Sequence, residues 1–228
     1  MDDFMIDKTR ETNMVKLVGK VASEKTFSHE IYGEGFYTVY LEVPRLSASV
    51  DMLPVTISER LIVNMDLSLG KYVIIEGQLR SYNRYIDNNN RLILTIFAKD
   101  IFIPDEEELK EAIRKPNEIF LDGYICKKPI YRTTPFGREI TDILIAVNRA
   151  YNKSDYIPCI AWGRNARFCQ NMIVGDHIKI WGRVQSREYQ KKLPSGKVET
   201  RVAYEVSISK LEYIENDNNR LEACEVEG

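Results

Sequence analysis

His177-Ile178-Lys179-Ile180-Trp181-Gly182-Arg183-Val184-Gln185-Ser186-Arg187-Glu188-Tyr189 decides the fold, because it alternates two kinds of side chain with period two. Successive side chains of a β-strand point to opposite faces, so such a run reads as a strand. Ile178, Ile180, Gly182 and Val184 form one face and fit a barrel interior. Lys179, Trp181, Arg183, Gln185, Arg187 and Tyr189 form the other. Cations interleaved with aromatics suit an unpaired polynucleotide, with rings stacking on bases and cations meeting phosphates. A solvated outer face with a snorkelling tryptophan gives the same alternation, so this strand alone leaves both readings open.

The same pattern occurs earlier in the chain. A shift of 105 places Leu69-Gly70-Lys71 on Val174-Gly175-Asp176, Gly77 on Gly182 and Ser81 on Ser186. A shift of 104 places Leu17-Val18-Gly19 on Leu121-Asp122-Gly123, Val43 on Val147 and Pro54 on Pro158. A period of about 100 residues means two tandem domains rather than a solenoid. Tyr37-Thr38-Val39-Tyr40-Leu41-Glu42-Val43, and Val202, Tyr204, Val206 and Ile208 with their polar neighbours, add further strand patterns. Gly19, Gly77, Gly123 and Gly182 lie inside strands, where glycine marks a bulge or a sharp bend. Residues 58–68 and 163–173 are expected to hold a helical segment in each copy. Five strands and one helix in about 100 residues describe an OB-type barrel. The fold class expected is all-β: two tandem OB-fold five-stranded barrels, each with one short helix. A short charged linker helix joins them. The divergent first barrel spans residues 13–103, the linker 104–116 and the second barrel 117–215. A disordered acidic tail is expected over 216–228. Asp105 would cap the linker helix, with acids in its first turn and bases in its last.

The chain of 228 residues carries a formal net charge of −2, with 32 Lys+Arg against 34 Asp+Glu. That balance hides an asymmetry. Residues 116–215 hold 16 basic and 11 acidic side chains, whereas residues 13–103 hold 10 of each. A basic second domain hints at a polyanion partner. The acidic N-terminus, MDDFMIDKTRE, lacks the apolar stretch of a secretory signal, and no apolar run approaches a membrane span. A cytoplasmic protein without a membrane partner is expected. Cys126, Cys159, Cys169 and Cys224 form no C-x-x-C pair, and His29 and His177 sit in no ligand spacing. No metal, cofactor or catalytic residue is therefore expected, and no carboxylate cluster, nucleophile elbow or P-loop points to an enzyme.

Tyr156 and Trp162 lie six apart and share a strand face, with Ile157, Cys159 and Ala161 opposite as core. At matched positions copy one is poorer: Trp162 falls on Ser58, Tyr156 on Met52, Trp181 on Glu76 and Arg183 on Gln78. It keeps Arg80, Tyr82, Arg84 and Tyr85 along its fourth strand. That cluster can hold a strand weakly, or copy one can serve mainly for packing against another subunit.

The second copy resembles the bacterial single-stranded DNA-binding protein family. The resemblance rests on Leu121-Asp122-Gly123 with Lys128-Pro129, Thr134 with Gly137, and Ile145-Ala146-Val147-Asn148-Arg149. It continues through Tyr156-Ile157-Pro158-Cys159-Ile160-Ala161-Trp162-Gly163-Arg164-Asn165-Ala166, Gly175-Asp176 and Gly182-Arg183-Val184-Gln185-Ser186-Arg187-Glu188-Tyr189. It covers residues 117–213; for residues 13–103 it rests on the repeat. The resemblance implies OB-folds assembling into oligomers of four barrels, here a homodimer of two-barrel chains. It implies base-stacking sites at Tyr151, Tyr156, Trp162 and Tyr189, of which Tyr151 rests on the resemblance alone. Lys179, Arg183 and Arg187 would meet phosphate, with Trp181 beside them, and Lys191, Lys192 and Lys197 of the long loop would clamp the strand. The family's acidic tail with its apolar Pro-Phe tip is not matched by Glu225-Val226-Glu227-Gly228, which argues against docking of genome-maintenance proteins through the tail. The function expected is non-enzymatic binding and protection of single-stranded DNA in replication, recombination or repair, largely independent of sequence, near the nucleoid. An OB-fold adaptor binding protein partners, or an RNA-binding protein, is the alternative.

Overall fold

The computed structural model describes residues 11–86, 89–192 and 196–215; the expected tail at 216–228 lies outside them. The first copy comprises β1 (Asn13–Val21), β2 (Thr26–Ile31), β3 (Glu34–Pro44), β4 (Val50–Ser58), α1 (Glu59–Ile62), β5 (Tyr72–Ile86) and β6 (Asn89–Phe102). Helix α2 (Glu106–Ala112) follows. The second copy comprises β7 (Asn117–Thr133), β8 (Glu139–Arg149), β9 (Lys153–Trp162), α3 (Arg164–Cys169), β10 (His177–Lys192) and β11 (Val198–Ile214).

Each copy closes on itself. In the first, β1 pairs with β5, β5 with β6, β6 with β4 in parallel, β4 with β3, and β3 with β1. In the second, β7, β10, β11, β9 and β8 close the same ring, with β11 and β9 parallel. Closure gives every strand of each ring two neighbours. Each ring holds the five strands expected, and the first copy adds β2 beside β3. Its opening strand breaks at residues 22–25 into β1 and β2, whereas the second copy runs the same path as β7, with register shifts after Ile125 and Lys127.

Leu17, Leu41, Leu53, Ile75 and Ile96 fill the first barrel, and Leu121, Ile145, Ile157, Ile178 and Ile180 fill the second; all are almost wholly buried. Gly77 and Gly182 sit at the β5–β6 and β10–β11 bulges. A Cβ on either would stand 2.2 Å from the carbonyl oxygen of Phe97 or Ser207, so only glycine lets the strands approach this closely. The linker helix forms where expected. Asp105 Oδ1 accepts from the Glu107 and Glu108 amides at 2.9 Å, and Glu108 returns a bond to the Asp105 amide. That reciprocal arrangement satisfies otherwise unpaired N–H groups at the helix start.

Between the barrels, β1 and β7 pair antiparallel, and Val15 stands opposite Ile119, its own repeat equivalent. The junction therefore has a pseudo-twofold axis through that pair, and the sheets of both barrels run into one another.

Candidate nucleic-acid interface

The β8–β9 hairpin presents the first group of aromatic side chains. Ile157, Cys159 and Ala161 face the core, each no more than 3% exposed, which turns Tyr156 and Trp162 outward at 46% and 37%. The connection is a single 3-10 turn at Ala150–Asn152, in which Tyr151 has φ 60° and Asn152 φ 53°. Left-handed backbone costs a tyrosine about 1–2 kcal/mol relative to the right-handed form. Here it holds the Tyr151 ring clear of the barrel at 94% exposure. Tyr151→Gly is expected to raise stability by roughly 0.5–1 kcal/mol by relieving this backbone. The same change should weaken oligo-dT binding, and denaturant melts beside a titration check both halves of the prediction.

Two repeat-related carboxylates then tie the barrels together. Asp155, fully buried on the Ile157 side of β9, accepts from Arg80 Nη1 at 2.9 Å, the Ser81 amide at 2.8 Å and Arg149 Nη1 at 3.4 Å. The Tyr156 amide donates to Ser81 Oγ at 2.7 Å. Across the pseudo-axis, Asp51, also fully buried, accepts from Arg45 at 2.6 and 2.8 Å, from Arg183 Nη1 at 3.2 Å and from the Ser186 amide at 2.7 Å. The Met52 amide donates to Ser186 Oγ at 3.2 Å.

These bonds sort the side chains singled out from sequence into two surfaces. Because Ser81 lies on Tyr156, the β5–β6 arm of barrel one brings Tyr82, Arg84 and Tyr85, all exposed, alongside the Tyr151, Tyr156 and Trp162 hairpin of barrel two. Because Ser186 lies on Met52, the β10–β11 arm carries Arg187, Tyr189, Lys191, Lys192 and Lys197 to barrel one instead. Tyr204, opposite Ser186, hydrogen-bonds Tyr40 of that barrel, and burial holds its phenol above the usual range. The guanidinium of Arg187 stacks over the Tyr189 ring at 6.0 Å. Lys191, Lys192, Lys197 and the half-buried Lys179 make no ion pair among the described residues.

Three side chains differ from the outward face expected of β10. Gln185 is buried, donating to Glu205 Oε1 at 2.7 Å. Arg183 is held by Asp51 and Gln185, and burial lowers its pKa against the pull of Asp51. Trp181 packs half-buried against Phe120, ring centroids 5.1 Å apart, with Lys210 Nζ 4.4 Å above it. It lines a groove of about 380 Å³ at the β1–β7 junction, with Met14, Val15, Ile119 and Phe120. The equivalent positions of barrel one carry the Lys16–Glu76 ion pair at 3.1 Å.

Burial pushes the Cys169 thiol up to about 12 and raises Cys159 as well, so both behave as core side chains. No helix among the described residues is long and apolar enough to cross a membrane. Asp51 and Asp155 were not singled out from sequence. Their signal was an acid at the same repeat position inside two apolar strands.

The model of the single-strand binding protein family matches residues 116–214. Single-stranded DNA-binding protein 2 of Listeria monocytogenes is 32% identical over 116 residues, spanning 47% of this chain and 69% of the relative. Single-stranded DNA-binding protein 1 of Staphylococcus aureus is 34% identical over 83 residues, spanning 33% of this chain; the match takes in only 50% of the relative's length. Among solved structures, the wild-type single-stranded DNA binding protein of Thermus aquaticus aligns with TM-score 0.68 at 18% identity, covering 90% of this chain and 93% of that one. That likeness extends the fold over both barrels.

Proposed function

The chain belongs to the single-strand binding protein family, and from that premise we propose that it binds single-stranded DNA without catalysis, coating exposed strands in replication, recombination or repair beside the nucleoid. The observation that carries the reading is the β9 strand, where Ile157, Cys159 and Ala161 are sealed in the core while Tyr156 and Trp162 stand open on the reverse. Flat rings accept any base, so stacking there gives affinity with little sequence preference. Tyr151, Tyr82 and Tyr85 extend the same surface. Tyr189 begins the second, where Arg187, Lys191, Lys192 and Lys197 meet phosphates. Lys179 adds a further cation. Arg80 and Arg183 serve the Asp155 and Asp51 clusters and position the arms.

A homodimer of four barrels completes the proposal. The β1–β7 groove sits on the pseudo-twofold axis and exposes the Phe120–Trp181 pair, and a second copy is the occupant with matching symmetry. Trp181 is better placed for that assembly than for the strand.

The test is a titration with oligo-dT. Quenching of Trp162 fluorescence is expected on binding. With roughly five phosphate contacts, affinity should fall about 100-fold between 50 and 200 mM salt. Light scattering on the same sample should give twice the chain mass. A folded protein whose emission and anisotropy ignore oligo-dT at low salt refutes the reading.

A further inference from the structure

Barrel one has its own groove, of about 590 Å³, which shares the exposed Tyr82 ring with the surface just described. Ser28, His29, Ile31, Tyr82, Arg84 and Phe97 line it, over a floor of Thr56 and Thr95, with Arg149 of barrel two at its edge. Its aromatics occupy positions where barrel two has none. His29 stands opposite Phe36, as Arg132 stands opposite Ile140 in barrel two. Phe97 stands opposite Thr56, as Ser207 stands opposite Ile160. The His29 ring lies flat on Phe36, centroids 4.9 Å apart and planes 7° apart, and Phe36 leans on Phe97 at 5.6 Å.

The chemistry of the groove is that of a nucleotide site. His29 offers an open ring face, which stacks on a base. The floor hydroxyls of Thr56 and Thr95 bond each other at 2.8 Å, leaving lone pairs that can accept from a base edge. Among the described residues, no carboxylate lines the groove. Asp155 offsets only one of the Arg80 and Arg149 charges, and Arg84 makes no ion pair among the described residues, so the rim stays cationic. The groove is also continuous with the stacking hairpin, since Arg80 and Ser81 line it and Ser81 Oγ is bonded to the Tyr156 amide.

We propose that this groove takes the next nucleotides of the strand leaving Trp162 and Tyr156, stacking a base on His29 beside Phe97 and meeting phosphate with Arg84. Barrel one then contributes to the footprint through side chains of its own. The inference rests on the single-stranded DNA reading above.

The experiment compares wild type with His29→Ala/Arg84→Ala, both changes being at exposed side chains. Labelled oligo-dT is used at about 8 nucleotides, within the span of one OB-fold, and at about 30, long enough for both. The short oligomer is expected to bind both proteins alike on the β8–β9 hairpin. The long one should lose about 10-fold in affinity for the variant, with a footprint several nucleotides shorter. Unchanged binding of the long oligomer, or equal losses for both lengths, overturns the groove while leaving the wider reading standing. A wild type that takes up neither oligomer overturns both.

Discussion

Tyr156→Ala/Trp162→Ala is expected to remove most of the affinity for oligo-dT while the barrels stay folded. Base–aromatic stacking contributes about 1–3 kcal/mol per base, so losing two rings costs roughly 2–6 kcal/mol, at least about 30-fold in Kd. Two features of the structure keep the readout clean. Both rings stand on the outer side of β9, so truncating them opens no cavity around Ile157 or Ala161. The two positions are six residues apart along an extended strand, about 20 Å, so their effects should add. The rings are neutral, so the slope of affinity against salt should not change. Lys191→Ala/Lys192→Ala should do the reverse, lowering the slope by about 0.7 for each phosphate that is no longer neutralised. Anisotropy of a labelled oligomer at several salt concentrations measures both. A folded double aromatic variant with wild-type affinity would show that the strand does not run over this face.

Much of this surface was legible from sequence because it obeys local rules. The alternation of Ile157, Cys159 and Ala161 against Tyr156 and Trp162 is a period-two pattern, and core formation on one side forces exposure on the other. The repeat at 104–105 residues was legible for a related reason. Gly77 and Gly182 answer to the same backbone approach in each barrel, and no side chain can substitute there.

What local rules do not reach is pairing across the pseudo-axis. Arg183 and Asp51 are 132 positions apart, and so Arg183 read as a free cation. Arg80 is bound in the same way to Asp155, 75 residues away. The splitting of the aromatics follows from the same bonds, since only the Ser81 and Ser186 contacts reveal which barrel each arm crosses to. Matching copy one to copy two position by position also missed His29 and Phe97. A barrel can place rings on different strands of the same groove, and Ser58 opposite Phe36 stands where Trp162 opposes Ile140. A search for aromatics in copy one irrespective of register would have found them.

The buried carboxylates give the largest stability effect. Asp155→Ala would leave Arg80 and Arg149 facing each other in a part-buried site and strip the Ser81 amide of its acceptor. Removing one partner of a buried ion pair costs about 3–5 kcal/mol, because the remaining charge has given up its solvent and gained nothing. At a few degrees per kcal/mol for a chain of this size, Tm should fall by roughly 10 °C. Asp51→Ala should cost a similar amount, since Arg45, Arg183 and the Ser186 amide surround Asp51 as the matching set surrounds Asp155. A control comes from the linker helix, where the Lys110–Glu107 pair is exposed on both sides, and Glu107→Ala should stay within about 1 kcal/mol of wild type. The Asp155 variant should also bind long oligo-dT more weakly than its surviving folded fraction explains, because Tyr156 and the β5–β6 arm are no longer held to one another. An Asp155→Ala protein melting within a degree or so of wild type would mean that the β1–β7 pairing and the remaining bonds between the barrels suffice, and that Asp155 holds nothing in place.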